Sequence, residues 1–206
     1  MSNCAVFLSG GGSNFQALID RKNSGDLHVD FTVCISNNSK AYGCERARKN
    51  GIPVVHLARG RFGSNEEYTA RLLEVLSAHS VEMIVCAGYM KIIPAAVVEQ
   101  YRNKILNIHP ALLPSFGGKG MYGKRVHQAV LDHGAKVSGI TVHLIDEQYD
   151  SGPIVLQECI PVPDTDDAES LAGRVLALEH AHYWRAVEAV AQNRLTITGR
   201  RVTGEL

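Results

Sequence analysis

The chain has 206 residues, 45% of them hydrophobic, which is enough to bury one substantial core and too little for two large independent domains. Its 21 lysines and arginines balance 21 aspartates and glutamates, so no basic excess draws it onto a nucleic acid or an acidic membrane. No basic stretch leads into a signal-like apolar run at the amino terminus, and no segment approaches the ~18 apolar residues of a membrane span; the expectation is a soluble, cytoplasmic protein.

Extended and helical patterns alternate from the start. Strands are expected at 3–9, 30–36, 53–57, 82–87, 104–109, 137–144 and 153–162, and helices at 14–24, 40–50, 64–80, 94–103, 121–132 and 167–192. Strands separated by helices favour a mostly parallel sheet covered on both faces. The fold class is therefore α/β: a single Rossmann-like, doubly wound domain of about seven strands. The tail LTITGRRVTGEL either forms a small hairpin or trails off the body, and carries no assigned chemistry. The five cysteines, at 4, 34, 44, 86 and 159, include no C-x-x-C pair and read as reduced core residues rather than bridges or zinc ligands.

After the first strand, Ser9-Gly10-Gly11-Gly12-Ser13-Asn14 opens a helix and aims several backbone N–H groups at one small volume. Such a helix start holds a phosphate well; it reads equally as a tight turn with Ser13 or Asn14 as cap. A dinucleotide site is disfavoured, because Phe15 stands where G-x-G-x-x-G needs its third glycine. The second strand also ends in Ser36-Asn37-Asn38 where a ribose-binding acid is expected. Further on, AGYMKII (87–93) follows the apolar strand at 82–86. Gly88 there lets the backbone approach a planar ring closely, although a strand end packing into the core accounts for the same residues.

In LNIHPALLP (106–114), Asn107 and His109 sit at the end of a short apolar strand, because Pro110 and Pro114 stop a helix from starting at once. Strand side chains alternate, so both point to one face with Ile108 opposite. Val137–Leu144 is a further strand by its β-branched content, and Asp150 follows it in the turn DSGP. Singly, His109 reads as a core histidine and Asp150 as a turn former. Together, an amide donor, a titratable ring and a carboxylate are the parts that stabilise a tetrahedral oxyanion and move a proton, which points to an acyl-type transfer.

Two further patterns are weaker. GKGMYGKR (118–125) has phosphate-loop spacing until Arg125 replaces the required hydroxyl residue, and no clean strand precedes it. It reads as a Gly-rich loop leading into a helix, with a substrate-covering role open. In the last helix, Glu179 reads as a solvated charge, and His180 and His182 lie about 200° apart, so they cannot share a metal facially. No metal is expected.

In order, CAVFLSGGGSNFQALI, AGYMKII, LNIHPALLP, GITVHLIDEQYDSGPI and LALEHAHY resemble the glycinamide ribonucleotide formyltransferase family, folate-dependent enzymes of purine biosynthesis. The resemblance covers about Cys4 to Tyr183. It implies transfer of the formyl group of 10-formyltetrahydrofolate to the amine of glycinamide ribonucleotide, by direct attack through a tetrahedral intermediate. It implies that Gly12, Ser13 and Asn14 hold the phosphate and Glu179 meets the sugar. Met90, Lys91, Ile92 and Ile93 would line the pterin pocket, largely through backbone groups, with Asn107 beside them.

Asn107 would donate to the oxyanion, and His109 would act as acid toward the departing nitrogen. Asp150 would hold the His109 pKa above its reference of ~6.5. Where some relatives carry an arginine for the folate tail, Asn65 stands here, with Arg59, Arg61 and Lys91 nearby, and the tail contact is unassigned. The expected partners are these small molecules, and the expected state a monomer or homodimer. Residues 1–206 are taken as one domain, with a phosphate-binding half (1–103), a catalytic and folate-binding half (104–192) and an extension (193–206). A related hydrolase would normally carry an amino-terminal regulatory domain, and a transfer-RNA formylase an appended carboxy-terminal domain and a basic surface; a folate-binding module without turnover is the third alternative.

Overall fold

Cys4, Val6 and Leu8 face one side of the first strand and Ala5 and Phe7 the other, all of them buried. A strand buried on both sides belongs inside a sheet with helices on each face. The computed structural model describes residues 1–206. It has β1 (Ser2–Leu8), α1 (Ser13–Ser24), β2 (Val29–Ser36), α2 (Tyr42–Lys49), β3 (Val54–His56), α3 (Asn65–Ala78), β4 (Met83–Cys86), α4 (Ala95–Gln100) and β5 (Ile105–His109). There follow α5 (Lys124–Asp132), β6 (Val137–Leu144), β7 (Ile154–Pro161), α6 (Ala168–Ala191), β8 (Leu195–Thr198) and β9 (Arg201–Gly204).

The seven-stranded sheet runs β3-β2-β1-β4-β5-β6-β7. The first five strands pair in parallel, while β6 is antiparallel to both β5 and β7. Winding proceeds from β1 toward β3, then restarts on the other side of β1 with β4. That reversal leaves a crevice beyond the carboxyl ends of β1 and β4, the usual place for ligands in such sheets. Its two loops are tied together, since Ser9 N–H donates to the Gly88 carbonyl (3.1 Å) and Met90 N–H to Ser9 Oγ (2.9 Å).

Helices cover both faces, but not evenly. Residues of α1, α2, α5 and α6 join the larger apolar cluster, whereas α3 and α4 supply the smaller one, which contains no residue of β6 or β7. On that side the far end of the sheet is covered by loops instead. There the alternation places Asn107 and His109 of β5 beside Thr141 and His143 of β6, with the pairs Asn107↔His143 and His109↔Thr141 in register.

Several expectations shift by a few residues. The helix expected from 121 begins at Lys124, because Gly123 has a φ of 57°, which α-helix does not allow. The helix expected to reach 103 stops at Gln100, with Asn103 left-handed. A short 3-10 turn at Arg59–Arg61 was not anticipated. The tail forms the β8–β9 hairpin. Cys159 departs from the expected core placement: it lies exposed on the edge strand β7, while Cys4, Cys34, Cys44 and Cys86 are buried. No helix is long and apolar enough to cross a membrane.

Candidate active site

The loop after β1 is shaped by Gly12. Its φ is 66°, and a Cβ there would stand 2.8 Å from the Gly43 Cα, so only glycine fits between the loop and α2. No side chain caps α1, which leaves its first N–H groups without the cap that Ser13 or Asn14 was read as supplying. Asn14 instead turns inward, only 9% exposed, and its Nδ2 donates to Glu179 Oε2 at 2.8 Å.

Glu179 is thus no solvated helix charge; it is 7% exposed. Burial pushes its carboxyl up to about 7, against the opposing pull of the Asn14 hydrogen bond. Asn14 Oδ1, also buried, has no partner. His180 and His182, next along α6, have different surroundings: His182 lies against Glu158 and Arg185, whereas burial lowers the pKa of His180.

Beyond β4, Gly88 has φ 77° and nothing within 4 Å of where a Cβ would be, leaving open space against its backbone. Met90 and Ile92 are 55% and 63% exposed, an unusual amount for apolar side chains, while Ile93 is buried in the smaller core cluster. Arg59 Nε donates to Asn65 Oδ1 at 3.3 Å, so one of the basic side chains considered for the folate tail sits beside Asn65.

The trio of Asn107, His109 and Asp150 does converge. Asp150, left-handed at φ 49°, returns over the sheet so that Oδ2 stands 3.6 Å from His109 Nδ1 and Oδ1 stands 3.6 Å from His143 Nε2. His109 Nε2 lies 2.8 Å from the Phe116 carbonyl oxygen. That oxygen can only accept, so Nε2 carries a proton and Nδ1 is the nitrogen left to exchange one. Gly118 N–H donates to Asp150 Oδ2 at 2.8 Å. The Gly-rich segment therefore enters the site through backbone groups on each side of Gly117, whose added Cβ would press on Leu113 and Asp150.

Burial lowers the His109 pKa below its ordinary value, and Asp150 and the Phe116 carbonyl only partly offset this. The sequence expectation was the reverse. It counted the carboxylate and could not count the desolvation of a ring enclosed by two loops. For Asp150, burial alone would raise the pKa, but proton-bearing His143 and His109 rings and the Gly118 N–H together hold the carboxyl below its usual range. At neutral pH the pair therefore rests as neutral imidazole beside carboxylate.

Three residues of this site escaped the sequence reading. His143 Nε2 lies 3.1 Å from Asn107 Nδ2. Thr141 Oγ1 accepts from Leu113 N–H and donates to the Ala111 carbonyl, and Gln157 Nε2 donates to the Leu113 carbonyl, which pins the segment after His109 onto the sheet. For Thr141 and His143 the signal was the alternation in GITVHL, which sends both to one face, opposite His109 and Asn107 of β5, and Thr141 also opposite Gln157 of β7. Hollows of about 410 and 570 Å³ at the opposite end of the sheet share Ser2, Glu82 and Ala191, and none of the expected site residues lines them.

A family model described as formyl transferase matches residues 2–187. A chloroplastic phosphoribosylglycinamide formyltransferase of Vigna unguiculata is 44% identical over 93% of this chain, which spans about three fifths (61%) of that relative's length. The phosphoribosylglycinamide formyltransferase of Escherichia coli K12 is 35% identical over 94% of this chain and 89% of its own. Among solved structures, glycinamide ribonucleotide transformylase 1 from Symbiobacterium toebii superposes with a TM-score of 0.93 at 39% identity, covering 100% of this chain and 95% of that one.

Proposed function

Since this chain belongs to the formyl transferase family, we propose that it moves the formyl group of 10-formyltetrahydrofolate to the amine of glycinamide ribonucleotide, as in purine biosynthesis. The observation that carries this reading is the meeting of Asn107, His109 and Asp150, from segments some forty residues apart, at one sheet end. Both small molecules are substrates consumed in each turnover, and no metal takes part.

The ribonucleotide phosphate lies on the uncapped start of α1, against the N–H groups of Gly12, Ser13 and Asn14. Glu179, held by Asn14, meets the sugar. The folate ring lies along Met90–Ile93, where the open backbone at Gly88 and the exposed Met90 and Ile92 suit a flat, partly apolar ring. Residues 1–103 then form the phosphate-binding half, residues 104–192 the catalytic and folate-binding half, to which Met90–Ile93 are added from the first, and residues 193–206 an extension.

The amine attacks the formyl carbon directly, and negative charge gathers on the formyl oxygen. Asn107 donates an amide N–H to that oxygen. His109, neutral at rest, takes the proton released by the amine on Nδ1 and delivers it to the departing folate nitrogen. Asp150 favours the transient imidazolium. The C–N bond to folate breaks as the carbonyl re-forms, giving formylated ribonucleotide and tetrahydrofolate. Absorbance of the folate, followed with and without ribonucleotide, tests the reading. Formyl loss only with ribonucleotide supports transfer; loss without it indicates a hydrolase, and no loss in either case a binding module.

A further inference from the structure

His143 sits on β6 directly across from Asn107 in the antiparallel pair, and is only 1% exposed. Its Nδ1 lies 3.0 Å from the Leu144 carbonyl oxygen. A carbonyl only accepts, so Nδ1 holds a proton, and in the neutral ring Nε2 is then a bare acceptor. That acceptor faces Asn107 Nδ2 at 3.1 Å. Turning the Asn107 amide over would bring its oxygen against the Nε2 lone pair, two acceptors in contact with no hydrogen between them.

We propose that His143 is a positioning residue that locks the Asn107 carboxamide with its nitrogen toward the reacting carbon, so that an N–H and not a carbonyl meets the developing oxyanion. One amide hydrogen is spent on His143 and the second is free for substrate. Asp150 Oδ1 is the competing neighbour, 3.6 Å from the same Nε2, a separation longer than a hydrogen bond. A doubly protonated His143 would turn toward Asp150 and release the amide. The inference rests on the formyl-transfer reading for its consequence in turnover, but not for its geometry.

Two measurements test it. Nitrogen-15 NMR of the wild-type histidine rings near neutral pH reads the geometry without substrate: Nδ1 protonated and Nε2 bare supports the lock, whereas a charged ring or an Nε2–H tautomer overturns it. Kinetics read the consequence. His143→Leu should lower kcat by about 10²-fold, the scale of a misdirected oxyanion donor, with KM for ribonucleotide near wild type. His143→Gln, whose amide oxygen can replace Nε2 as acceptor, should recover most of that loss.

In an Asn107→Ala background, His143→Leu should cost no more than about twofold further, because a residue acting through Asn107 has nothing left to orient. A full additional loss there means that His143 acts independently, and the proposal fails. If the wild-type protein transfers no formyl group at all, the functional reading fails, while the ring spectra still decide the lock.

Discussion

Asp150 Oδ2 stands 3.6 Å from His109 Nδ1, and the Gly118 N–H holds that same oxygen at 2.8 Å. The carboxylate is thus fixed by a loop backbone before it meets the ring, and its charge is available to an imidazolium formed during turnover. Asp150→Asn keeps the shape and removes the charge. It should lower kcat by ~10²–10⁴-fold, the span of general acid–base effects, with ribonucleotide KM changed by no more than about threefold. Steady-state kinetics at saturating folate would show this.

The pH dependence follows from His109 and has a definite sign. Burial places its pKa below the ordinary histidine value, and the neutral ring is the form that accepts the amine proton. With ribonucleotide saturating, so that the Glu179 ionisation near 7 does not enter through binding, kcat should fall in acid once pH drops through that lowered pKa. In Asp150→Asn the acid limb should move lower still, since the charge favouring the protonated ring is gone. Identical profiles for the two proteins would remove Asp150 from the mechanism.

Asn107→Ala deletes the oxyanion donor. Loss of one such donor typically costs ~2.7–4 kcal/mol of barrier, or about 10²–10³ in kcat. Ribonucleotide binding should be nearly untouched, which isothermal titration with ribonucleotide can check separately from turnover.

Glu179 links the sugar site to stability. Its folded carboxyl titrates near 7, well above the unfolded value, because it is buried. A raised pKa means the protein is relatively stabilised below about pH 4.5, where both states are protonated, and loses that advantage as pH rises through 7. Glu179→Gln keeps an acceptor for Asn14 and removes the ionisation. The variant should melt at higher temperature than wild type at pH 8, by an amount equivalent to a few kcal/mol at most, and at the same temperature near pH 4.5. Equal melting temperatures at both pH values would rule out a buried ionisation penalty.

Gly12→Ala forces a side chain into a left-handed position against Gly43. The backbone term alone is about 1–3 kcal/mol, and the displaced loop should raise KM for the ribonucleotide more than it lowers kcat. Thermal melts and KM measured on the same preparation separate the two effects.

Much of this was legible in the primary structure, and the reasons differ by residue. Alternation put Asn107 and His109 on one face, and the run of strands and helices gave the doubly wound sheet, since both follow from local periodicity. Local pattern cannot report enclosure. Glu179 read as solvated because the packing of α6 on α1, which buries it against Asn14, is a tertiary event. His109 was assigned a raised pKa for the same reason: the partner charge was visible and the desolvation was not. His143 stayed hidden inside an ordinary apolar strand, and only the β5–β6 register shows which residue it faces. The Gly117 region showed no more than an open substrate-covering role, because what it contributes, the Phe116 carbonyl and the Gly118 N–H, is backbone and leaves no mark on residue type.

The most direct measurement is a crystal structure with glycinamide ribonucleotide and an unreactive formyl-folate analogue bound together. The amine should lie within about 3–3.5 Å of the carbon that stands for the formyl group, with that group's oxygen in hydrogen-bond reach of Asn107 Nδ2 and the ribonucleotide phosphate on Gly12–Asn14. Ligands that bind elsewhere, or an Asn107 that turns its carbonyl toward the analogue, would contradict this arrangement.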